Sequence, residues 1–544
     1  MTSALPSEPV LDEVQFRRLA AYGVPHEVGA GDALYATGDP SYDLILLETA
    51  SVDVVRDATA SEAEHVVTRR GPGDFLGELS LLTGQAVYLT ARVTVPGRII
   101  RIDTETFRRL LSEQVDIADV LLETFSLRRE GLKEAAGSAL ELVGRPTAVE
   151  TRDLRAYVGR LALPHSWFDA STVAGHALMT AAGVTEADLP VVVINDRVLL
   201  NATPGVVAEV LGLTYRSSGA DVDLVVVGAG PAGLAAAVYG ASEGLVTVLL
   251  DAAVPGGQAG TSSRIENYLG FPQGVSGDAL ARSAMVQALK FGTQIYAPCR
   301  VAGLEVSDAG PVLRLEDGTE IRTRAVIVAT GARYRRLDVP GWDEHEALGC
   351  VHYSATELDV RGYESRPVIV IGGANSAGQA ALFLASRGSH VHLVVRRADI
   401  RATMSSYLVD RLEVHPLVQI RTSSNVLELE GAEQLTSVVV GQDDGGREQV
   451  ECHGVFCFVG ADPATEWLSG VDVDDDGFVL TDARLGADLG AERLPFQTSL
   501  PGVFAAGDVR AGSMKRVAAA VGEGASAVAS VHAVLGRLVE GPVT

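Results

Sequence analysis

The run VDLVVVGAGPAGLAAAVYGASEGLVTVLLD sets Gly228, Gly230 and Gly233 between an apolar strand and a small-residue helix, then returns on a second strand to Asp251. That spacing suits a pyrophosphate. The first glycine permits a tight turn, the second lets backbone N–H groups approach an anion at a helix N-terminus, and the third lets helix and strand pack closely. Asp251, 23 positions after Gly228, stands where a carboxylate can bind ribose hydroxyls.

A second run, RPVIVIGGANSAGQAALFLASRGSHVHLVVRR, repeats strand, glycine turn, helix and strand. Gly372, Ala374 and Ala377 occupy the spaced positions, with Ser376 at the start of the helix. Alanine in the middle position departs from the pattern and loosens backbone approach to a pyrophosphate. Where the first unit ends its second strand on an acid, this one has Arg396, Arg397 and, a little further on, Arg401. Guanidinium forks there fit a ribose 2′-phosphate, which favours NADPH over NADH; the alternative is a solvated basic turn.

The four cysteines, Cys299, Cys350, Cys452 and Cys457, form no Cys-x-x-Cys pair and no metal-ligand cluster with histidine, so no metal site is expected. Cys452 and Cys457 flank an apolar run and are expected as reduced core residues, on opposite faces of a strand if alternation holds.

Positioning these groups takes a large chain. At 544 residues it exceeds one hydrophobic core, and about three to five domains are expected. With 47% hydrophobic residues, 58 glycines and 5% aromatics, the composition suits glycine-punctuated α/β architecture. A net charge of −26 disfavours a phosphate backbone as partner, so no nucleic acid is expected. The start MTSALPSEPV lacks a basic region followed by an apolar core, and no apolar run of about 20 residues is expected anywhere, so a cytoplasmic protein without a membrane span is expected.

Four units divide the chain. Residues 1–142 alternate short β-like runs with Gly and Asp turns, as in a β-roll, and then turn helical from Thr104 to Leu142. Residues 143–214 form a compact mixed unit, and Tyr215–Ala220 a polar linker. Residues 221–336 with 465–544 form the first dinucleotide unit, and 337–464 the second. The fold class is thus multidomain: a β-roll with helices, a small α/β domain, and two Rossmann-like α/β domains.

GAGPAG, GGQAGTSSRIENYLGFP (256–272), ATGA (329–332), GGANSA, VVRRADIRA and GVFAAGDV (502–509) together resemble bacterial thioredoxin reductase, in the right order over about 320 residues. The resemblance implies FAD on the first unit, NADPH on the second, and a homodimer. It also implies Gly257 and Gln258 along the flavin, Asn267 near the isoalloxazine, and Gly507 with Asp508 at the ribityl and phosphate end. Arg516, Val517 and Ala518 fall where the family closes on the flavin, with Val517 replacing its usual glutamine. The family's redox tetrad, Cys-Ala-Thr-Cys, aligns with Ser354-Ala355-Thr356-Glu357. A hydroxyl and a carboxylate form neither a disulfide nor a thiolate adduct, so the internal relay is absent. Glu357 either donates a proton near the flavin or is a hydrogen-bonded or solvated carboxylate.

Residues 143–214 resemble a glutaredoxin or thioredoxin fold without cysteines, with Pro190 where such folds place a cis-proline before a strand. GPGDFLGELSLLTGQAVYLTARV, from Gly71, resembles the phosphate-binding cassette of cyclic nucleotide-binding domains, with Gly77, Glu78 and Leu79 at the ribose and phosphate part. Leu89 stands where the family arginine precedes Thr90 and Ala91, and Arg92 is expected to point away on alternation, so a cyclic nucleotide is a possible ligand at best. The reading is an NADPH-dependent FAD oxidoreductase serving an external acceptor or redox partner protein. The alternative is a flavin- or cyclic-nucleotide-responsive sensor in which catalysis is incidental.

Overall fold

A computed structural model describes residues 8–540 apart from 40, 58–63, 79, 84–86, 88, 136–139, 162, 164, 195–196, 216–221, 263, 308–309, 354, 356–359, 361, 444 and 486–492. Ser354, Glu357 and Leu79, all singled out in the sequence, lie outside the described residues.

Alternating apolar positions build the N-terminal roll from two four-stranded antiparallel sheets, whose central strands include Leu44–Leu47 and Ser51–Arg56. Helices Thr104–Glu113 and Val115–Ala135 pack back through buried Phe107, Leu110 and Phe125. The helical stretch stops before Leu142: Leu140–Gly144 is a strand, so the next unit begins at Leu140 instead of 143. Its apolar run satisfies either period. Pairing decides for strand, because it sits between His165–Asp169, parallel, and Val191–Ile194, antiparallel.

That small unit has the sheet order His165–Asp169, Leu140–Gly144, Val191–Ile194, Arg197–Leu199, flanked by helices Val149–Arg160, Val173–Ala182 and Pro204–Val210. The Leu189–Pro190 peptide is cis, at the position the sequence marked.

In the flavin unit, Val222–Val227 is flanked by the parallel strands Thr247–Leu250 and Glu320–Val328, the latter also pairing with Val503–Ala505 from the far end of the chain. The other unit is a five-stranded parallel sheet ordered Val351–His352, Gly454–Cys457, Pro367–Ile371, His390–Val394, Val418–Arg421. Ala332–Tyr334 and Ala461–Pro463 cross between the two units as an antiparallel pair.

Within the second unit, Cys350, Cys452 and Cys457 share one apolar cluster. Opposite faces are therefore not observed: Cys452 precedes the strand Gly454–Cys457, so strand alternation does not govern it. Burial pushes the thiols of Cys452 and Cys457 up to about 12, which keeps both protonated and unreactive.

One helix corrects the expectation about apolar length. Val517–Gly536 is, by length and composition, long and apolar enough to cross a membrane, with mean hydropathy 1.4. Its small residues escape a search for bulky runs. It packs along Pro231–Ser242, where a Cβ on Gly524 would fall 2.0 Å from the Ala232 carbonyl oxygen.

Candidate active site

The glycine turn after Val222–Val227 behaves as its spacing dictates. Gly228 has φ +106°, and a Cβ there would sit 2.3 Å from the Ala329 carbonyl oxygen. A Cβ on Gly233 would fall 1.7 Å from the Gly228 carbonyl oxygen, which fixes the helix–strand approach. Gly230 differs: at φ −73° any residue is tolerated, and its Cβ direction meets nothing nearer than the Gly257 Cα at 4.0 Å. What glycine provides there is open space before the N-terminus of helix Pro231–Ser242.

That space belongs to a cavity of about 580 Å³, within the range of cofactor sites. Gly228, Gly230, Asp251, Gly257, Gln258, Gly507, Asp508 and Val517 line it, as does Ser376 from the other dinucleotide unit. Asp251 accepts from the backbone N–H groups of Ala229 at 2.7 Å and Ala253 at 2.9 Å. Burial pushes its carboxyl up, while these amides and the Arg160 guanidinium pull it down. Burial likewise raises Asp508, against the pull of Lys515. Gln258 Nε2 donates to the Ala332 carbonyl at 2.6 Å, tying the loop after the second strand to the crossover strand.

The Gly507 turn is held from behind. Glu523 Oε2 accepts from the Gly507 N–H at 2.7 Å, and Arg510 grips both carboxylate oxygens at 2.9 and 3.2 Å. Neither Glu523 nor Arg510 carries a motif, and sequence reading passed over both. Thr330 of the ATGA motif and Ala355 of the tetrad also line the cavity, as does Arg160, which the sequence did not single out.

Several expected contacts are not brought to it. Asn267 is exposed and off the cavity wall, because the turns between Ile265 and Val275, which bridge each other, carry it into solvent. Ala518 also faces solvent: the helix starts at Val517, so Val517 and Ala520, one turn apart, face inward instead. Gly372, Ala374, Ala377, Arg396 and Arg397 lie outside this cavity, at the other unit's own turn. Gly372 has φ +144° and approaches the Phe458 carbonyl, Ala377 is buried, and Ala374 is the exposed N-cap of helix Asn375–Ser386. Arg396 and Arg397 are exposed, but Arg401 is committed to Asp410 at 3.0 Å and Glu413 at 2.8 Å. It is not a free fork for a phosphate.

In the roll, Gly77 is packed against Leu44 and Phe125, and the Glu78 N–H donates to Tyr42 Oη at 3.1 Å. Thr90 Oγ1 donates to Asp57 at 2.7 Å, Leu89 leans on the core, and Arg92 pairs with Glu64 at 3.0 Å. The only cassette cation considered from sequence is thus engaged on the surface.

Residues 222–524 match the family model described as pyridine nucleotide-disulphide oxidoreductase. The chain belongs to that family. Residues 25–114 match the cyclic nucleotide-binding domain. Relatives of the oxidoreductase part include a component of the alkyl hydroperoxide reductase of Pseudomonas aeruginosa, 36% identical over 56% of this chain and 56% of that one. The chain thus spans little more than half of that relative. Thioredoxin reductase of Treponema pallidum is 33% identical over 56% of this chain and 95% of its own. Among solved structures, Lactococcus lactis thioredoxin reductase matches at 31% identity and TM-score 0.53, over 58% of this chain and all (100%) of that one. The glycine turn, the open helix terminus and the cavity fit a dinucleotide such as FAD. Residues 115–221, between the two matched spans, include the small four-stranded unit that begins at Leu140.

Proposed function

We propose that this chain is an NADPH-dependent flavin oxidoreductase of the thioredoxin reductase type that delivers electrons to an external acceptor without a dithiol of its own. One observation carries the reading. Ala355, inside the tetrad Ser354–Glu357, lines the cavity with Gly228, Gly230 and Asp251 and bridges to Ser262, yet the tetrad contains no cysteine.

When bound, FAD supplies a carrier that takes up hydride and releases electrons. The chain's residues divide the remaining work. The turn at Gly228 and Gly230 and the N-terminus of Pro231–Ser242 hold the diphosphate, and Asp251 holds the ribose. The Gly507 turn, braced by Glu523, supports the opposite end, and Val517 and Ala520 exclude water from one wall. Arg396 and Arg397 select NADPH over NADH, with Ser376 at the helix start. Glu357, two positions after Ala355, is the candidate proton donor near the flavin.

The acceptor belongs to one of a few classes: a quinone, another flavin, dioxygen, an electron-transfer protein or a partner's disulfide. Anaerobic mixing with NADPH is expected to bleach the visible flavin band rapidly, and NADH to do so more slowly. A screen of acceptors against the reduced protein then identifies the class. Robust reduction of thioredoxin by the purified chain alone contradicts the proposal.

A second reading, regulation through the roll, has its own support. The short helix Ser80–Thr83, inside the cassette, packs on helix Gly277–Lys290 of the flavin unit, and Lys290 pairs with Asp119 at 3.2 Å. The engaged Glu78 amide and the leucine at 89 argue against ordinary cyclic nucleotides. Calorimetry with cAMP and cGMP, together with the flavin reduction rate in their presence, tests this: binding that shifts the rate supports regulation.

A further inference from the structure

The cavity wall beside Asp251 contains one residue from outside the oxidoreductase span, Arg160. It is the last residue of helix Val149–Arg160 in the thioredoxin-like insert. Its placement is not that of a loose surface side chain. One turn earlier, Tyr157 is fully buried and donates from Oη to the Ala297 carbonyl of the flavin unit at 3.1 Å. Immediately afterwards, Leu161 and Leu163 enter the shared apolar core. The helix end is thus fixed on both sides against the flavin unit.

The guanidinium lies over the loop that follows the second strand. A Cβ built on Gly260 would sit 3.8 Å from its Cζ, so the cation rests against backbone with no side chain between. It also exerts an attractive field on Asp251, although other groups line the wall. The anion this end of the cavity must hold is a diphosphate, in a chain whose net charge is −26. Backbone N–H groups and a helix dipole supply only fractional positive charge, and a guanidinium matches phosphate oxygens bidentately.

We propose that Arg160 is a cofactor-binding residue contributed by the thioredoxin-like insert, its guanidinium paired with the diphosphate of FAD. This rests on the flavoenzyme reading above and extends it: the insert, though without cysteines, completes the cofactor site. No redox step is assigned to it.

The test uses the full-length chain stripped of flavin, with binding read by titration calorimetry and flavin fluorescence. Arg160→Ala is expected to weaken FAD binding roughly 10- to 100-fold, the loss of one charge-assisted contact. ADP and adenosine serve as further probes. The parent is expected to prefer ADP, and the variant to lose that preference while its affinity for adenosine is retained. Arg160→Lys keeps the charge and is expected to recover part of the FAD affinity, which guards against a folding defect in the alanine variant. The inference is overturned if Arg160→Ala binds FAD like the parent, or if ADP and adenosine weaken equally, which marks a purely structural role. A parent chain that takes up no FAD overturns the flavoenzyme reading itself, a distinguishable result.

Discussion

Arg152, on helix Val149–Arg160 of the insert, donates from Nη1 to the Gly349 carbonyl oxygen at 3.2 Å. Gly349 has φ +75°, and a Cβ there would fall 2.2 Å from the Thr147 carbonyl, so only glycine permits this approach. The insert therefore grips the chain just upstream of the tetrad Ser354–Glu357. Arg152→Ala is expected to loosen that grip by about 2 kcal/mol, the cost of losing a charged donor. Faster hydrogen exchange across residues 349–353 checks it, and unchanged protection there contradicts it.

The two outer glycines of the first turn and the middle one should fail differently. Gly233→Ala drives a methyl into the Gly228 carbonyl and is expected to destabilise the flavin unit by about 3 kcal/mol. Gly230→Val has room and an ordinary backbone, so the chain should fold and lose FAD. Thermal denaturation of the apoproteins beside flavin content separates the two cases.

Arg396 and Arg397 are exposed, whereas Arg401 already holds two carboxylates. Replacing Arg396 and Arg397 together by alanine is expected to lower kcat/KM for NADPH roughly 10- to 100-fold, with NADH little changed. Arg401→Ala should leave the NADPH to NADH ratio where it was. Steady-state kinetics with both nucleotides decides.

Installing a dithiol tests the direct route out of the flavin. Ser354→Cys with Glu357→Cys is expected to take up roughly twice the reducing equivalents of the parent in an anaerobic NADPH titration, through a new disulfide. Equal uptake by the two proteins counts against the alignment of this tetrad with a redox pair.

His392 offers a pH test. Its Nδ1 accepts from Arg421 Nε at 3.2 Å, and burial with that guanidinium lowers its pKa below 6.5. The unfolded chain therefore takes the proton first, so this contribution to stability is full above pH 6.5 and is lost as pH falls towards the folded value. His392→Gln should flatten that part of the Tm profile below about pH 6.5, measured by calorimetry.

The chain's local signals were the legible ones. Gly228, Gly230, Gly233 and Asp251 act within one strand–turn–helix–strand unit, so spacing alone assigned their geometry. Pro190 was legible only through the resemblance of its unit to a thioredoxin fold. Arg160 was not, because it reaches Gly260 across a hundred residues and only packing sets its helix end there. Asn267 and Ala518 show the opposite failure: position in a motif does not give side-chain direction when a turn or the phase of a helix start intervenes. Leu140–Gly144 lacked a deciding period, and its strand partners, 25 and about 50 residues away, settled it.

A single apolar cluster runs from Leu44 in the roll through Leu154 and Tyr157 in the insert to Leu224, Met285 and Leu289 in the flavin unit. These parts are welded, not beaded on a string. Trimming the gene to its catalytic half would strip a greasy flank bare, so a minimal enzyme of this type should precipitate unless that flank is resurfaced. Each piece thus depends on its neighbours for part of its own solubility.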